Sequence, residues 1–184
     1  MCGRYLLHAP AGLIERAFGI EFSQTARELG APRFNIAPTQ GVPIVRNPPG
    51  RTLTIIRQGE IERGRELVTA KWGLIPAWAK DPSIGNRMIN ARAETVAEKP
   101  AFRDAFRARR CIVPASGFYE WQRRGHGPKQ PYLIRRRDGA PVGFAGLWEA
   151  WTDRETGEEV TTCTIVTCEP NPLMAKLHNR MPVI

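Results

Sequence analysis

Residues 141–151 (PVGFAGLWEAW) and 160–168 (VTTCTIVTC) decide the fold. Both runs are rich in aromatic and β-branched residues, and only the polar, glycine-containing stretch 153–158 separates them, so they read as two strands of a hairpin. Two similar runs lie upstream, at 111–121 and 132–137. Their breaks, Gly125-His126-Gly127-Pro128 and Asp138-Gly139, are turn sequences. Such spacing predicts antiparallel hairpins and meanders. Residues 42–45, 53–57 and 67–72 read as further strands, separated by Asn47-Pro48-Pro49-Gly50 and by charged, glycine-containing turns. The apolar spacing of 10–18 predicts a short helix. A second helix is expected over 100–109, entered at Pro100, with Ala101, Phe102, Ala105 and Phe106 on one side. A third is expected from the cap Asn171-Pro172 to about Leu177. The class is therefore α+β: a mostly antiparallel, β-rich core curling towards a barrel, with a few peripheral helices, in one domain over 1–184.

With 42% hydrophobic and 24% charged residues, the composition is that of a soluble globular protein. No apolar run approaches the roughly 20 residues a membrane span needs, and the start lacks a secretory stretch. A cytoplasmic or nucleoid protein without membrane contact is expected. The cysteines are Cys2, Cys111, Cys163 and Cys168; they form no CxxC pair and stand beside no histidine cluster. No zinc, other metal or cofactor is expected. Cys111 and Cys163 sit in strand-like contexts and read as buried small hydrophobes, Cys168 less clearly so. Cys2, at a chain end, has no such packing role. The formal net charge is +9, much of it arginine, whose planar fork matches phosphate oxygens. Nucleic acid is the partner this charge suits, against a merely soluble basic surface.

Removal of Met1 would leave Cys2 with a free α-amine and a thiol, two nucleophiles on one residue. Glu120 interrupts the aromatic run Gly117-Phe118-Tyr119-Glu120-Trp121. It is either a desolvated carboxylate suited to proton transfer or, by strand alternation, a solvent-facing one. His178 ends the third expected helix, as an acid/base group or as a cap. Asn90 and Arg92 lie two apart on an extended segment and share a face. Lys71-Trp72-Gly73-Leu74-Ile75-Pro76-Ala77-Trp78 is either a core plug or an apolar wedge against bases. Trp72 suits the core, and Trp78 suits an exposed stacking platform. His8 and His126 offer less.

Six ordered segments resemble one family. They are Cys2-Gly3-Arg4-Tyr5, Arg33-Phe34-Asn35-Ile36-Ala37-Pro38-Thr39, Trp72-Gly73-Leu74-Ile75-Pro76, Asn90-Ala91-Arg92-Ala93-Glu94-Thr95, Gly117-Phe118-Tyr119-Glu120-Trp121 and His178-Asn179-Arg180-Met181-Pro182. In this the chain is similar, over its whole length, to the SRAP (SOS response-associated peptidase) proteins that process abasic sites. The resemblance implies a β-rich α+β domain with a basic groove for single-stranded DNA carrying abasic sites. It implies a covalent link from the Cys2 amine to the sugar aldehyde, closed by the thiol into a thiazolidine. Schiff-base lyase activity and crosslink reversal are further implied activities. By the same likeness Asn90 positions Cys2 and the sugar, Glu120 shuttles protons, and His178 serves as acid/base on the sugar hydroxyl and in reversal. Arg4, Arg92 and Arg180 hold phosphates, supported by Asn35, Pro38 and Thr167. Trp72, Leu74, Ile75, Pro76 and Trp78 match the loop that wedges beside the lesion. Members usually continue past Met181-Pro182-Val183-Ile184, so a C-terminal continuation is expected, and Asn179 often is Asp in relatives. A monomer is the simplest expectation. Two other readings are a cysteine peptidase built on Cys2, Glu120 and His178, in its narrowest form removing only its own Met1, and a passive DNA-binding module in which Cys2 is incidental.

Overall fold

The computed structural model describes residues 2–20, 31–48, 53–57, 60–125 and 127–184. Met1, His126 and part of the Asn47-Pro48-Pro49-Gly50 turn lie outside them. Five strands close into a barrel: β3 (Gly41–Arg46), β6 (Glu66–Trp72), β8 (Arg110–Ala115), β11 (Val142–Thr152) and β12 (Glu159–Cys168). Around it the order is β11-β8-β3-β6-β12, and β12 pairs back onto β11. The deciding hairpin is present, running in register from Gly146↔Ile165 to Thr152↔Glu159. The barrel closes through one parallel pair, β6 with β12, and the short β7 (Asn90–Arg92) runs parallel to β12 beyond it. The two-residue β13 (Met181–Pro182) pairs antiparallel to the end of β12.

A second sheet packs against the barrel in the order β10-β9-β1-β2. It comprises β1 (Tyr5–Leu7), β2 (Arg33–Ile36), β9 (Gly117–Gln122) and β10 (Gln130–Ile134). A separate ribbon pairs β4 (Leu53–Arg57) with β5 (Glu60–Gly64). Strand alternation sends Val42, Ile44, Ala70, Trp72, Val113, Phe144, Cys163 and Ile165 into one buried cluster with Tyr5 of the second sheet. Tyr5 meets Trp72 edge-on at 5.4 Å and Phe144 at 5.9 Å between ring centres. Cys111 and Cys163 are buried free thiols, as their contexts predict, and Cys168 is partly exposed.

Helix α1 (Ala11–Phe18) buries Ile14 and Phe18, one turn apart, and stops at Gly19 in the left-handed conformation. Helix α2 (Arg103–Ala108) is shorter than expected, and Phe106 is exposed rather than aligned with buried Phe102 and Ala105. The expected helix from Asn171 is a single 3-10 turn, Met174–Lys176. Asn171 still caps it, accepting the Met174 N–H at 2.9 Å, but the chain must then enter β13. The run 111–121 is two strands in two sheets. The break falls at Ser116, whose hydroxyl accepts the N–H groups of His8 and Ala9 at 3.0 and 3.1 Å. Strands β1 and β2 have no counterpart in the sequence reading, and β5 occupies a segment read as a charged turn.

The segment after β6 is positioned by a close backbone approach. Gly73 has φ of 135°, and a Cβ there would sit 2.6 Å from the Gly85 carbonyl oxygen. Only glycine fits both the dihedral and the gap. Gly73→Ala is expected to destabilise the fold by about 2–3 kcal/mol, seen as a lower urea midpoint; an unchanged midpoint would show that this contact yields.

Candidate active site

The second residue of the chain is the most enclosed of the site. Cys2 is fully buried, immediately before β1. Strand β1 lies between β2 and β9, with Tyr5 opposite both Ile36 and Phe118, so the N-terminal segment is built in as a central strand. The Asn90 amide Nδ2 donates to the Cys2 carbonyl at 3.0 Å. This bond joins β7, on the barrel, to the start of the second sheet. Asn90 and Arg92 flank the buried Ala91 and share the face that their spacing predicts. Asn90 Oδ1 is buried without a hydrogen-bond partner among the described residues, which leaves an acceptor beside Cys2.

Glu120 does not follow the solvent-facing alternative. In β9 it alternates inward with Phe118, while Tyr119 and Trp121 are only partly buried. Its residue exposure is 4%. Its charge acts on two other groups of the site. Burial, then Glu120, pushes the Cys2 thiol up to about 12. Desolvation holds the His178 imidazole below its ordinary 6.5, and Glu120 works against that by favouring the cation. Thus one carboxylate lies within electrostatic reach of both Cys2 and His178. His178 follows the 3-10 turn, its N–H donating to the Met174 carbonyl at 2.8 Å. Its Nδ1 accepts the Arg180 backbone N–H at 3.1 Å. The turn is tied to β9 by Gln122, whose Nε2 donates to the Lys176 carbonyl at 2.6 Å.

The expected DNA-contacting residues fall into two groups. Arg4 is partly exposed and donates to Asn35 Oδ1 at 3.1 Å. Arg92 and Trp78 are exposed, Trp78 at 56%. Pro38 is partly buried and precedes Thr39, a non-glycine residue with φ of 72°. Trp72, Leu74, Ile75 and Pro76, by contrast, are buried. The Trp72 indole N–H donates to the Ile89 carbonyl at 2.8 Å, and the Ile75 N–H to the Thr162 hydroxyl at 3.0 Å. These four are buried in this structure, and Trp78 is that loop's surface aromatic. Thr167 is also buried, its carbonyl accepting from Arg180. Arg180 itself is engaged by Glu94 through both guanidinium nitrogens, at 2.7 and 2.9 Å. That fork pulls the Glu94 carboxyl down to about 2. Arg180 is thus a paired group at the strand end. His8 stacks on the exposed Phe34 ring at 5.7 Å.

Two participants escaped the sequence reading. Glu94 neutralises Arg180 across 86 positions. The Tyr5 hydroxyl is buried with no hydrogen-bond partner among the described residues. Burial first, then Cys163 and Cys2, hold its ionisation above the ordinary value of 10.0. No short-range pattern marks either role. Among the described residues no group of three or more His, Cys, Asp or Glu could hold a metal ion.

A buried Cys2 held by an amide, with a buried carboxylate that acts on both its thiol and an imidazole, defines the class of site. The chain belongs to the SRAP (SOS response associated peptidase) family, whose family model matches residues 1–184. It is similar to abasic site processing protein YoaM of Bacillus subtilis, 44% identical over 184 residues, covering all of this chain and 74% of that protein. The abasic site processing protein HMCES of Gallus gallus is 29% identical, with all of this chain matched to 62% of it. Among solved structures, a Bacteroides thetaiotaomicron protein superposes with a TM-score of 0.79 at 29% identity, covering 98% of this chain and 75% of that one. A Bordetella bronchiseptica protein gives 0.75 at 26% identity, covering 100% and 83%.

Because Glu120 raises both the thiol and the imidazole, its neutralisation lowers both. In Glu120→Gln the pH dependence of Cys2 alkylation is expected to shift down. The His178 midpoint, followed by NMR, falls further below 6.5. A midpoint that rises or stays fixed would remove Glu120 from this cluster.

Proposed function

We propose that the protein captures abasic sites in single-stranded DNA through a covalent bond to Cys2. The observation that carries this reading is the Asn90 hydrogen bond to the buried Cys2, with the charge of Glu120 acting on both Cys2 and His178. The names of the Bacillus subtilis and Gallus gallus relatives, both abasic site processing proteins, support the substrate.

Loss of Met1 frees the Cys2 amine, which attacks the C1′ aldehyde of the ring-opened sugar. The carbinolamine takes a proton on its hydroxyl and leaves as water, giving an imine. Cys2 Sγ then bonds to C1′, and the thiol proton passes to nitrogen, closing a thiazolidine with no oxidant needed. A thiol pushed up to about 12 is protonated at neutral pH, so ring closure needs a base as the S–C bond forms. Glu120, whose charge already acts on the Cys2 thiol, serves as that base. His178 is mainly neutral in neutral buffer, because its midpoint lies below 6.5. It can accept a proton from the sugar hydroxyl and return it when the link reverses. Asn90 fixes the Cys2 carbonyl and so the direction of the amine. The net charge of +9 supplies sequence-independent affinity, which suits a lesion that can occur anywhere. Cys2-dependent lyase incision through the imine follows from the same intermediate.

Protein shown by mass to lack Met1 is incubated with a single-stranded oligonucleotide carrying one abasic site. A heat-stable band on a denaturing gel is expected from wild type and none from Cys2→Ala. Cys2→Ser is expected to give a labile adduct, trapped only by borohydride. A processed wild-type protein that forms no adduct overturns this reading. Peptide turnover without DNA would then favour a peptidase, and salt-sensitive binding unaffected by Cys2→Ala a passive module.

A further inference from the structure

The barrel has a second mouth. Strand β3 starts beside Trp72 and runs to Arg46, which faces Glu66 of β6 and Cys111 of β8. Five residues of strand, at about 3.3 Å each, put this end ~17 Å from the Cys2 end. A cavity of about 190 Å³ opens there, walled by Arg46, Asn47, Arg65 and Arg110 over Val45 and Cys111. Arg46 is already neutralised, with Nε 2.7 Å from Glu66 Oε1. Arg65 gives one nitrogen to the Phe18 carbonyl at 2.9 Å. Arg110 is exposed. Among the described residues neither Arg65 nor Arg110 forms an ion pair with a carboxylate. The adjoining Arg109 is held by Glu149 at 2.6 Å.

The same geometry says which anion fits. The nearby aromatic, Trp148, is buried, and the Arg46 guanidinium covers its ring at 4.1 Å. Among the described residues no aromatic face is left there to stack a base, and Arg65 and Arg110 at the rim have no carboxylate partner. Such a surface holds phosphate without reading sequence. We propose that Arg65 and Arg110 form a second nucleic-acid contact, holding a backbone phosphodiester of the bound strand outside the lesion site. The proposal rests on the reading of Cys2 only in taking that strand to be DNA. A strand must leave the Cys2 end before it reaches this mouth, so the contact adds affinity to long strands and not to short ones.

Salt-dependent binding of undamaged single strands tests this. Strands of about 6 and about 30 nucleotides are compared for wild type, Arg65→Ala/Arg110→Ala, and Arg110→Glu. Arg110→Glu guards against a folding defect, since the Arg110 side chain makes no hydrogen bond among the described residues. For the long strand, the log–log salt slope is expected to fall by about 1.4 in the double variant, two phosphate contacts at ~0.7 each. The short strand is unchanged, and adduct formation on a short lesion strand keeps its wild-type rate. An unchanged long-strand slope overturns the proposal, as does an equal loss on both lengths, which would assign the arginines to the Cys2 groove. A response of Arg110 to inorganic phosphate with an unchanged DNA slope also overturns it, in favour of a free-anion site. Failure of wild type to form the adduct is read separately and bears on Cys2 alone.

Discussion

The site depends on the burial of a chain end. Terminal residues usually fray because little holds their backbone. Here Tyr5–Leu7 is a buried strand with a partner on each side. The Tyr5 ring packs against Trp72 and Phe144 in the barrel core. A side chain carried next to such a strand has a fixed direction, so little ordering is left to a binding event. The cost is a thiol held in its neutral form by desolvation. The charge of Glu120 acts in the same sense, raising the thiol further.

Much of the barrel was legible in the sequence because its strands are long, apolar and bounded by turn residues. Residues 141–151 and 160–168 read plainly, and they form the hairpin that joins two strands of the barrel. The strands that were missed lack that signal. Glu60–Gly64 is charged and glycine-ended, and its strand character comes from its ladder with Leu53–Arg57. The division of 111–121 between two sheets leaves no turn residue to see; Ser116 makes it by bonding a backbone more than a hundred positions away.

Within the site, residue type pointed to Cys2, Asn90, Glu120 and His178, yet pattern alone left Glu120 open. Strand register decided it, since Glu120 falls on the same side as Phe118. The apolar letters of Trp72, Leu74 and Ile75 suit a core or a wedge equally, and long-range packing chose the core. Arg180 illustrates the reverse problem. A cation looks free in a sequence until its distant carboxylate, here Glu94, is placed beside it.

The segment that carries Cys2 leads into the sheet that holds Glu120, joined where the Tyr119 N–H donates to the Arg4 carbonyl at 2.9 Å. Asn90 belongs to the other body, through its pairing with β12. The cluster therefore straddles a seam. Sheets bend less easily along their hydrogen bonds than packed layers slide past each other. The placing of Glu120 relative to β1 is geometrically stiff, while the grip of Asn90 on Cys2 is the adjustable dimension. A displacement of one body against the other would be felt first as a change in that single amide-to-carbonyl distance.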